Sequence, residues 1–241
     1  MTVSFPSLEA IPVPSGIDLL SEMRILPELA RGALHAPAAL LAPRGANQCV
    51  LLLPGFNASD TSLWLLRKFL RYLGWRARGW GLGTNDGDAA ALLPRVTEVV
   101  DRAAQRTGAP VHLVGWSMGG FLAREVARDR PDLVAQVVTM GTPVVGGAKY
   151  TAVAPLFRRL GYDVEAIADE CASRASRIIP RRITAIYSRR DGIVSWQACI
   201  DRDNPSVEHV HVGTTHFGFG FDLRVWRIVA DRLARPLRKR R

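Results

Sequence analysis

An apolar run that stops at a glycine and puts a serine two places further on constrains this chain more than any other stretch. Residues 111–120 read VHLVGWSMGG, so a strand-like segment reaches Gly115, Ser117 and Gly119 just before a helix-like pattern begins. That G-x-S-x-G spacing fits an elbow, a strand that turns sharply onto a helix. A side chain at the tip of such a turn needs positive φ, and strand and helix approach too closely for large residues at the flanking positions. The Ser117 hydroxyl is then presented at the mouth of a sheet, with a helix N-terminus behind it. Five residues of this kind also recur without catalytic use, so the rest of the chain has to supply partners.

The chain has 241 residues, enough for one α/β domain that removes on the order of 70% of its unfolded surface from water. Hydrophobic residues make up 48% and charged residues 22%, which describes a soluble globular chain. Apolar runs such as residues 50–53 are of strand length and far below the roughly 20 residues that span a bilayer. The first residues show neither a basic leader nor a following apolar region, so a cytoplasmic location is expected. Cys49, Cys171 and Cys199 have no C-x-x-C or Cys/His ligand spacing, which suits buried thiols and argues against a metal site. The net charge is +10, and residues 236–241 form a dense basic tail. Such a tail suits an acidic partner or an anionic surface, or simply a solvated terminus. No signature for specific nucleic-acid binding accompanies it.

Taken in order, residues 1–48 are interrupted by Pro6, Pro12, Pro14, Pro27, Pro37 and Pro43, with one helical piece expected over 17–30. Residues 49–53 read as a buried parallel strand ended by Pro54 and Gly55. Ser59 or Asp60 is placed to cap a helix carrying Leu63, Leu66, Leu70 and Leu73. A poorer strand over 75–80 leads into a loop with Gly81 and Gly83. The third glycine of a dinucleotide fingerprint would fall at Asp86, so that reading is rejected. Residues 88–106 form an amphipathic helix with Leu92, Val96, Val99 and Val100 inward, closing at Thr107 and Gly108. After the elbow come a helix over 117–130, a strand over 134–140, strands over 183–187 and 207–212, and a last helix through Val225, Ile228, Val229 and Leu233. This alternation predicts a mostly parallel sheet with helices on both faces. Residues 144–180 break the rhythm, and read either as a small lid over the site or as ordinary packing helices.

A serine hydroxyl attacks at neutral pH only when a base takes its proton, and a buried carboxylate must fix that base. Asp191 lies in the loop after the strand 183–187, and His216 in the turn after the strand 207–212. The competing histidines are less well placed: His112 is on the elbow's own strand, His209 and His211 share one face of the last strand, and His35 falls in the leader. Asp163 and Asp169 lie in the excursion, and Asp201 and Asp203 precede the last strand, which favours Asp191 as the acid. Two main-chain donors for an oxyanion are expected at Phe56 and Met118.

With Leu53 to Phe56, the elbow, Gly141 to Pro143, Asp191 to Val194 and His216 in this order, the chain resembles the α/β-hydrolase family, in its lipase and esterase branch. The resemblance covers residues 49–235 and implies an α/β-hydrolase fold trimmed to about six strands, since no opening antiparallel strands are legible before residue 49. It divides the chain into an N-terminal segment 1–48 packed on the core, a hydrolase domain 49–235 and the tail 236–241. Many relatives carry His-Gly at Pro54 and Gly55, and His at Trp116. The Gly-Trp-Ser form here is similar to that of the pimeloyl-carrier-protein methyl ester esterases.

The resemblance implies a serine esterase with Ser117, His216 and Asp191 as its triad and a small-molecule acyl ester as substrate. No cofactor is called for. Trp116, Phe217 and Phe219, with Phe56 and Met118, are expected to line an acyl pocket for short to medium chains. The same triad would also serve an acyltransferase or an esterase acting on an acyl group carried by an acidic protein, which the charge of +10 motivates. A binding module that keeps the fold and has lost the chemistry is a third reading.

Overall fold

The computed structural model describes residues 11–24 and 35–236. Part of the helix expected over 17–30, and the basic tail beyond residue 236, lie outside them. What is described of the leader is a short helix, α1 (Gly16–Ser21), continued by one 3-10 turn, Glu22–Arg24. Ser15 caps α1 reciprocally: its hydroxyl accepts from the Asp18 N–H, while the Asp18 carboxylate accepts from the Ser15 N–H. A five-residue helix, α2 (Ala36–Leu40), follows.

Six strands make one sheet among the described residues: β1 (Cys49–Leu53), β2 (Arg76–Gly79), β3 (Val111–Trp116), β4 (Val134–Met140), β5 (Arg182–Ser188) and β6 (Val207–Val212). Their spatial order is β2-β1-β3-β4-β5-β6, and every pairing is parallel, as a strictly alternating chain requires. This is an α/β-hydrolase fold with helices on both faces. The register matters for function. Leu53 pairs with Gly115, Trp116 with Met140, Met140 with Ile186, and Ser188 with Val212, so the loops that leave five strands emerge along one edge.

The helices are α3 (Trp64–Tyr72), α4 (Ala89–Thr107), α5 (Met118–Asp129), α6 (Ala154–Arg159), α7 (Val164–Ala175) and α8 (Leu223–Ala234). The period of two along the strands divides the core. Val50, Leu52, Val114, Val138 and Ile186 face α3 and α8, meeting Leu66, Leu70, Val225 and Val229. Cys49, Leu51, Leu53, Leu113, Val137 and Ile183 face the other way, onto Leu92, Val96 and Val100 of α4 and Leu122 and Val126 of α5. Gly108 closes α4 in the left-handed conformation, at φ 64°.

The cap expected at Ser59 or Asp60 is not formed. Helix α3 starts after Leu63 without a side-chain cap. Asp60 is used instead across the sheet edge, where its carboxylate accepts from the N–H groups of Trp80 at 2.9 Å and Gly81 at 3.1 Å. A carboxylate within reach of two unpaired amides at the end of β2 gains more there than at a helix entry four residues on. No helix among the described residues is long and apolar enough to cross a membrane.

Candidate active site

Ser117 sits between β3 and α5 at φ 53° and ψ −125°, a conformation that costs a non-glycine residue about 1–3 kcal/mol and that its surroundings hold in place. Its N–H donates to the Met140 carbonyl at 2.8 Å, and its own carbonyl accepts from the Thr142 hydroxyl at 2.9 Å. Both anchors come from the end of β4 and the turn that follows. The flanking glycines are explained by contact: a Cβ on Gly115 would run into the Gly120 backbone, and one on Gly119 into the carbonyls of Leu53 and Pro54. The sharp turn therefore depends on the absence of two side chains.

Asp191 and His216 meet from the loops after β5 and β6. Their side chains are 1% and 4% exposed, and His216 Nδ1 lies 2.7 Å from Asp191 Oδ2. An ionised carboxylate only accepts, so Nδ1 carries the proton and Nε2 keeps its lone pair. The other Asp191 oxygen accepts from the N–H groups of Ile193 at 2.9 Å and Val194 at 2.7 Å, which fixes the carboxylate plane. Gly141 leaves room for the pair, since a Cβ there would lie 3.0 Å from Asp191 Oδ2 and 3.1 Å from His216 Nδ1. Trp116 Nε1 donates to the His216 carbonyl at 3.2 Å, tying the residue before Ser117 to the histidine.

Glu22 was not singled out in the sequence, and it belongs to this site. It is 5% exposed, and its carboxylate accepts from the N–H groups of Gly192, His216 and Phe217 at 2.7, 2.9 and 3.1 Å. One of four acidic residues in a proline-broken segment, it carries no spacing signal that would mark it.

The loop after β1 approaches Ser117 so closely that a Cβ on Gly55 would lie 3.2 Å from the serine Cβ. The N–H groups of Phe56 and Met118 are the donors expected for an oxyanion, and among the described residues neither has a hydrogen-bond partner. Met118 opens α5, where first-turn amides have no intrahelical acceptor. The loop is held from behind by the fully buried Asn85: its side-chain amide donates to the Pro54 carbonyl at 2.9 Å, and its main chain bonds Asn57 and Ala58 at 2.7 and 2.9 Å. Asn85 sits in the loop that follows Gly81 and Gly83, and nothing in its local sequence marks it.

An apolar cavity of about 230 Å³ opens beside Ser117. Phe56, Met118, Phe157, Tyr162, Ile167 and Val194 form much of its wall, so the excursion over 144–180 supplies one side through α6 and α7. The Phe56 and Phe157 rings pack against each other in that wall, their centroids 4.7 Å apart. Phe56 and Met118 are among the residues that line this cavity, and Trp116, Phe217 and Phe219 are not. Trp116 is 8% exposed and packs on the His216 ring, Phe219 is fully buried edge-on to the same ring, and Phe217 is 45% exposed on the outside. A side chain on the strand just before the elbow points into the sheet layer, which explains Trp116.

The competing groups are engaged elsewhere. His112 is buried against Gln136, and burial pushes its pKa down to about 4. His209 Nε2 accepts from the Asp201 N–H, and the Asp201 carboxylate pairs with the buried Arg124. Asp163 caps α7. Cys49, Cys171 and Cys199 are free and buried. No group of three or more His, Cys, Asp or Glu side chains among the described residues is arranged to hold a metal ion.

A family model described as "Alpha/beta hydrolase family" matches residues 50–240. Among solved structures, a lipase of Bacillus licheniformis, BlEst2 in its mature form, is similar at 16% identity and a TM-score of 0.60, over 80% of this chain and 94% of that one. Est1E from Butyrivibrio proteoclasticus, solved with ferulic acid bound, is similar at 14% identity and a TM-score of 0.59, over 77% and 87% of the two chains. Aspergillus fumigatus lipase B is similar at 18% identity and a TM-score of 0.61. That match takes in 78% of this chain, which spans about half, 53%, of the fungal one. Identities this low speak for the fold alone. Among curated protein sequences there is no significant match.

Proposed function

The chain belongs to the alpha/beta hydrolase family, and from that premise we propose that it is a serine hydrolase that cleaves carboxylic esters through an acyl-enzyme. Ser117 Oγ attacks the ester carbonyl carbon as His216 Nε2 takes the hydroxyl proton. The charge that develops on the carbonyl oxygen is met by the N–H groups of Phe56 and Met118. His216 passes its proton to the departing alcohol, then takes one from a water that attacks the acyl-serine, and returns it to Ser117 as the acid leaves. Asp191 holds Nδ1–H throughout and steadies the imidazolium.

The observation that carries this reading is the strained Ser117 turn at the sheet edge where the buried Asp191–His216 pair, at 2.7 Å, also emerges. Main-chain amides on one side and an apolar cavity on the other complete what an acyl group needs. Solved structures of similar fold that are described as lipases support the ester class. Three buried free thiols suit a reducing compartment, so a cytoplasmic location belongs to the same reading.

Turnover of a p-nitrophenyl ester series, beside a Ser117→Ala variant, tests it. The expected loss is on the order of 10⁴-fold or more. A fluorophosphonate probe should label Ser117, and ester turnover that survives the substitution would overturn the assignment.

A further inference from the structure

We infer that Glu22 is a positioning residue for the Asp191–His216 pair, contributed by the segment ahead of the hydrolase domain. The inference rests on the serine hydrolase reading above. Glu22 stands in the turn after α1, 170 residues before Gly192 and 194 before His216. Its side chain reaches the two loops that carry the acid and the base, and nothing in the chemistry of the acyl transfer requires it to be there.

The geometry is specific. Oε1 accepts from Gly192 N–H at 2.7 Å and from His216 N–H at 2.9 Å, and Oε2 accepts from Phe217 N–H at 3.1 Å. Gly192 directly follows Asp191. The carboxylate therefore joins the main chains of the same two loops that the Asp191–His216 hydrogen bond joins through side chains. Two links between two loops remove the hinge freedom that one link leaves. Two buried amide donors, those of Gly192 and His216, and the half-buried one of Phe217 would otherwise lack acceptors, and an anionic acceptor binds them more strongly than a neutral one.

A second contact supports the same role. A Cβ on Gly192 would collide with the Asp18 main-chain carbonyl, so α1 lies directly against the acid loop at the only residue type that permits it. The capping box of Ser15 and Asp18 holds the start of α1, and the helix in turn delivers Glu22. Misplacing a catalytic group by about 1 Å costs on the order of 10²-fold in rate. The clasp limits displacements of that size in His216 Nε2 relative to Ser117.

The test compares wild type with Glu22→Gln and Glu22→Ala by p-nitrophenyl ester kinetics, thermal melting and proton NMR of the downfield His216 Nδ1–H resonance. Gln keeps the shape and one acceptor oxygen, but turns an N–H₂ toward an N–H donor. The expected result is a kcat lowered about tenfold in Gln and about 100-fold in Ala, with KM within about threefold and the Nδ1–H signal broadened in the same order. A purely structural clasp would lower the melting temperature of both variants and leave kcat and the resonance of the folded protein unchanged. That outcome overturns the inference, as does a Gln variant that fails to fold. If Ala does not fold, Gln decides. If wild type turns over no ester and its Ser117 is not labelled by a fluorophosphonate, the hydrolase reading fails by itself. The NMR comparison still decides whether Glu22 orders the pair.

Discussion

The indole Nε1 of Trp116 donates to the His216 main-chain oxygen at 3.2 Å, and the two rings pack 5.4 Å apart. The residue that precedes the candidate nucleophile is thereby fastened to the candidate base, across 100 positions of sequence. Trp116 lies against the candidate base and is not among the residues that wall the cavity beside Ser117.

Trp116→Phe keeps an aromatic ring on His216 and removes the donor. The buried His216 carbonyl loses its partner, which costs about 1–3 kcal/mol in urea unfolding. Turnover should fall about tenfold, with the order of acyl-chain preference unchanged. A changed preference in a p-nitrophenyl ester series would return the indole to the pocket wall.

Asp191→Asn preserves size and still offers a carbonyl oxygen to the Ile193 and Val194 amides, which now meet Oδ1 at 2.9 and 2.7 Å. The amide nitrogen then faces His216 Nδ1, which favours the tautomer with its proton on Nε2, where Ser117 needs a lone pair. The expected loss in kcat is on the order of 10⁴-fold, with the melting temperature close to wild type. Fluorophosphonate labelling of Ser117 should slow in parallel, and labelling at the wild-type rate would assign the acid elsewhere.

What the sequence made legible here was periodic or punctuated. Residues 134–140 and 207–212 were read as strands and are β4 and β6 to the residue, because buried parallel strands are continuous apolar runs or short alternations bounded by turns. Gly108 announced the end of α4 by the same logic. The candidate site was legible where a residue type is forced by chemistry at a strand end, as at Ser117, Asp191 and His216. Glu22 and Asn85 were not, because a side chain that accepts or donates to distant main chain leaves no local pattern. The three aromatics expected to line an acyl pocket, Trp116, Phe217 and Phe219, show the other limit, since none lines the cavity beside Ser117. Sequence proximity to Ser117 and His216 says nothing about which side of the sheet edge a ring occupies, and Trp116 and Phe219 went into the core.

The cavity bounds the acyl chain. A cavity of about 230 Å³ takes an acyl chain of limited length. Each methylene buried is worth about 0.8 kcal/mol, so kcat/KM should climb about fourfold per carbon up to that length and then level off. Ile167→Phe places extra bulk on the α7 wall and should move the break to shorter chains by about one carbon. Kinetics across C2 to C12 p-nitrophenyl esters read the break directly. A break that stays in place would mean that the acyl group lies outside this cavity.

A buried histidine outside the candidate site couples stability to pH. His112 is 3% exposed on β3, hydrogen-bonded through Nδ1 to Gln136 and packed edge-on against Trp75. Burial holds its pKa at about 4 against 6.5 for a free imidazole. Between those two values the unfolded chain binds a proton that the folded chain does not, so protons favour unfolding. The contribution of a neutral buried His112 is complete above pH 6.5 and is lost as the pH falls toward 4, amounting to about 3 kcal/mol over that span. Burial also lowers the pKa of His209 and His211, and these add a slope of the same sign. The comparison that isolates His112 is therefore a difference between proteins. His112→Leu removes the titrating group, and Gln136 Nε2 still donates to the Leu233 carbonyl at 3.1 Å. Urea unfolding at pH 7, 5.5 and 4.5 should show the wild type losing stability faster than the variant at each step downward. Parallel pH profiles would mean that the imidazole titrates in the folded protein as it does in the unfolded chain, with water reaching the sheet interior at β3.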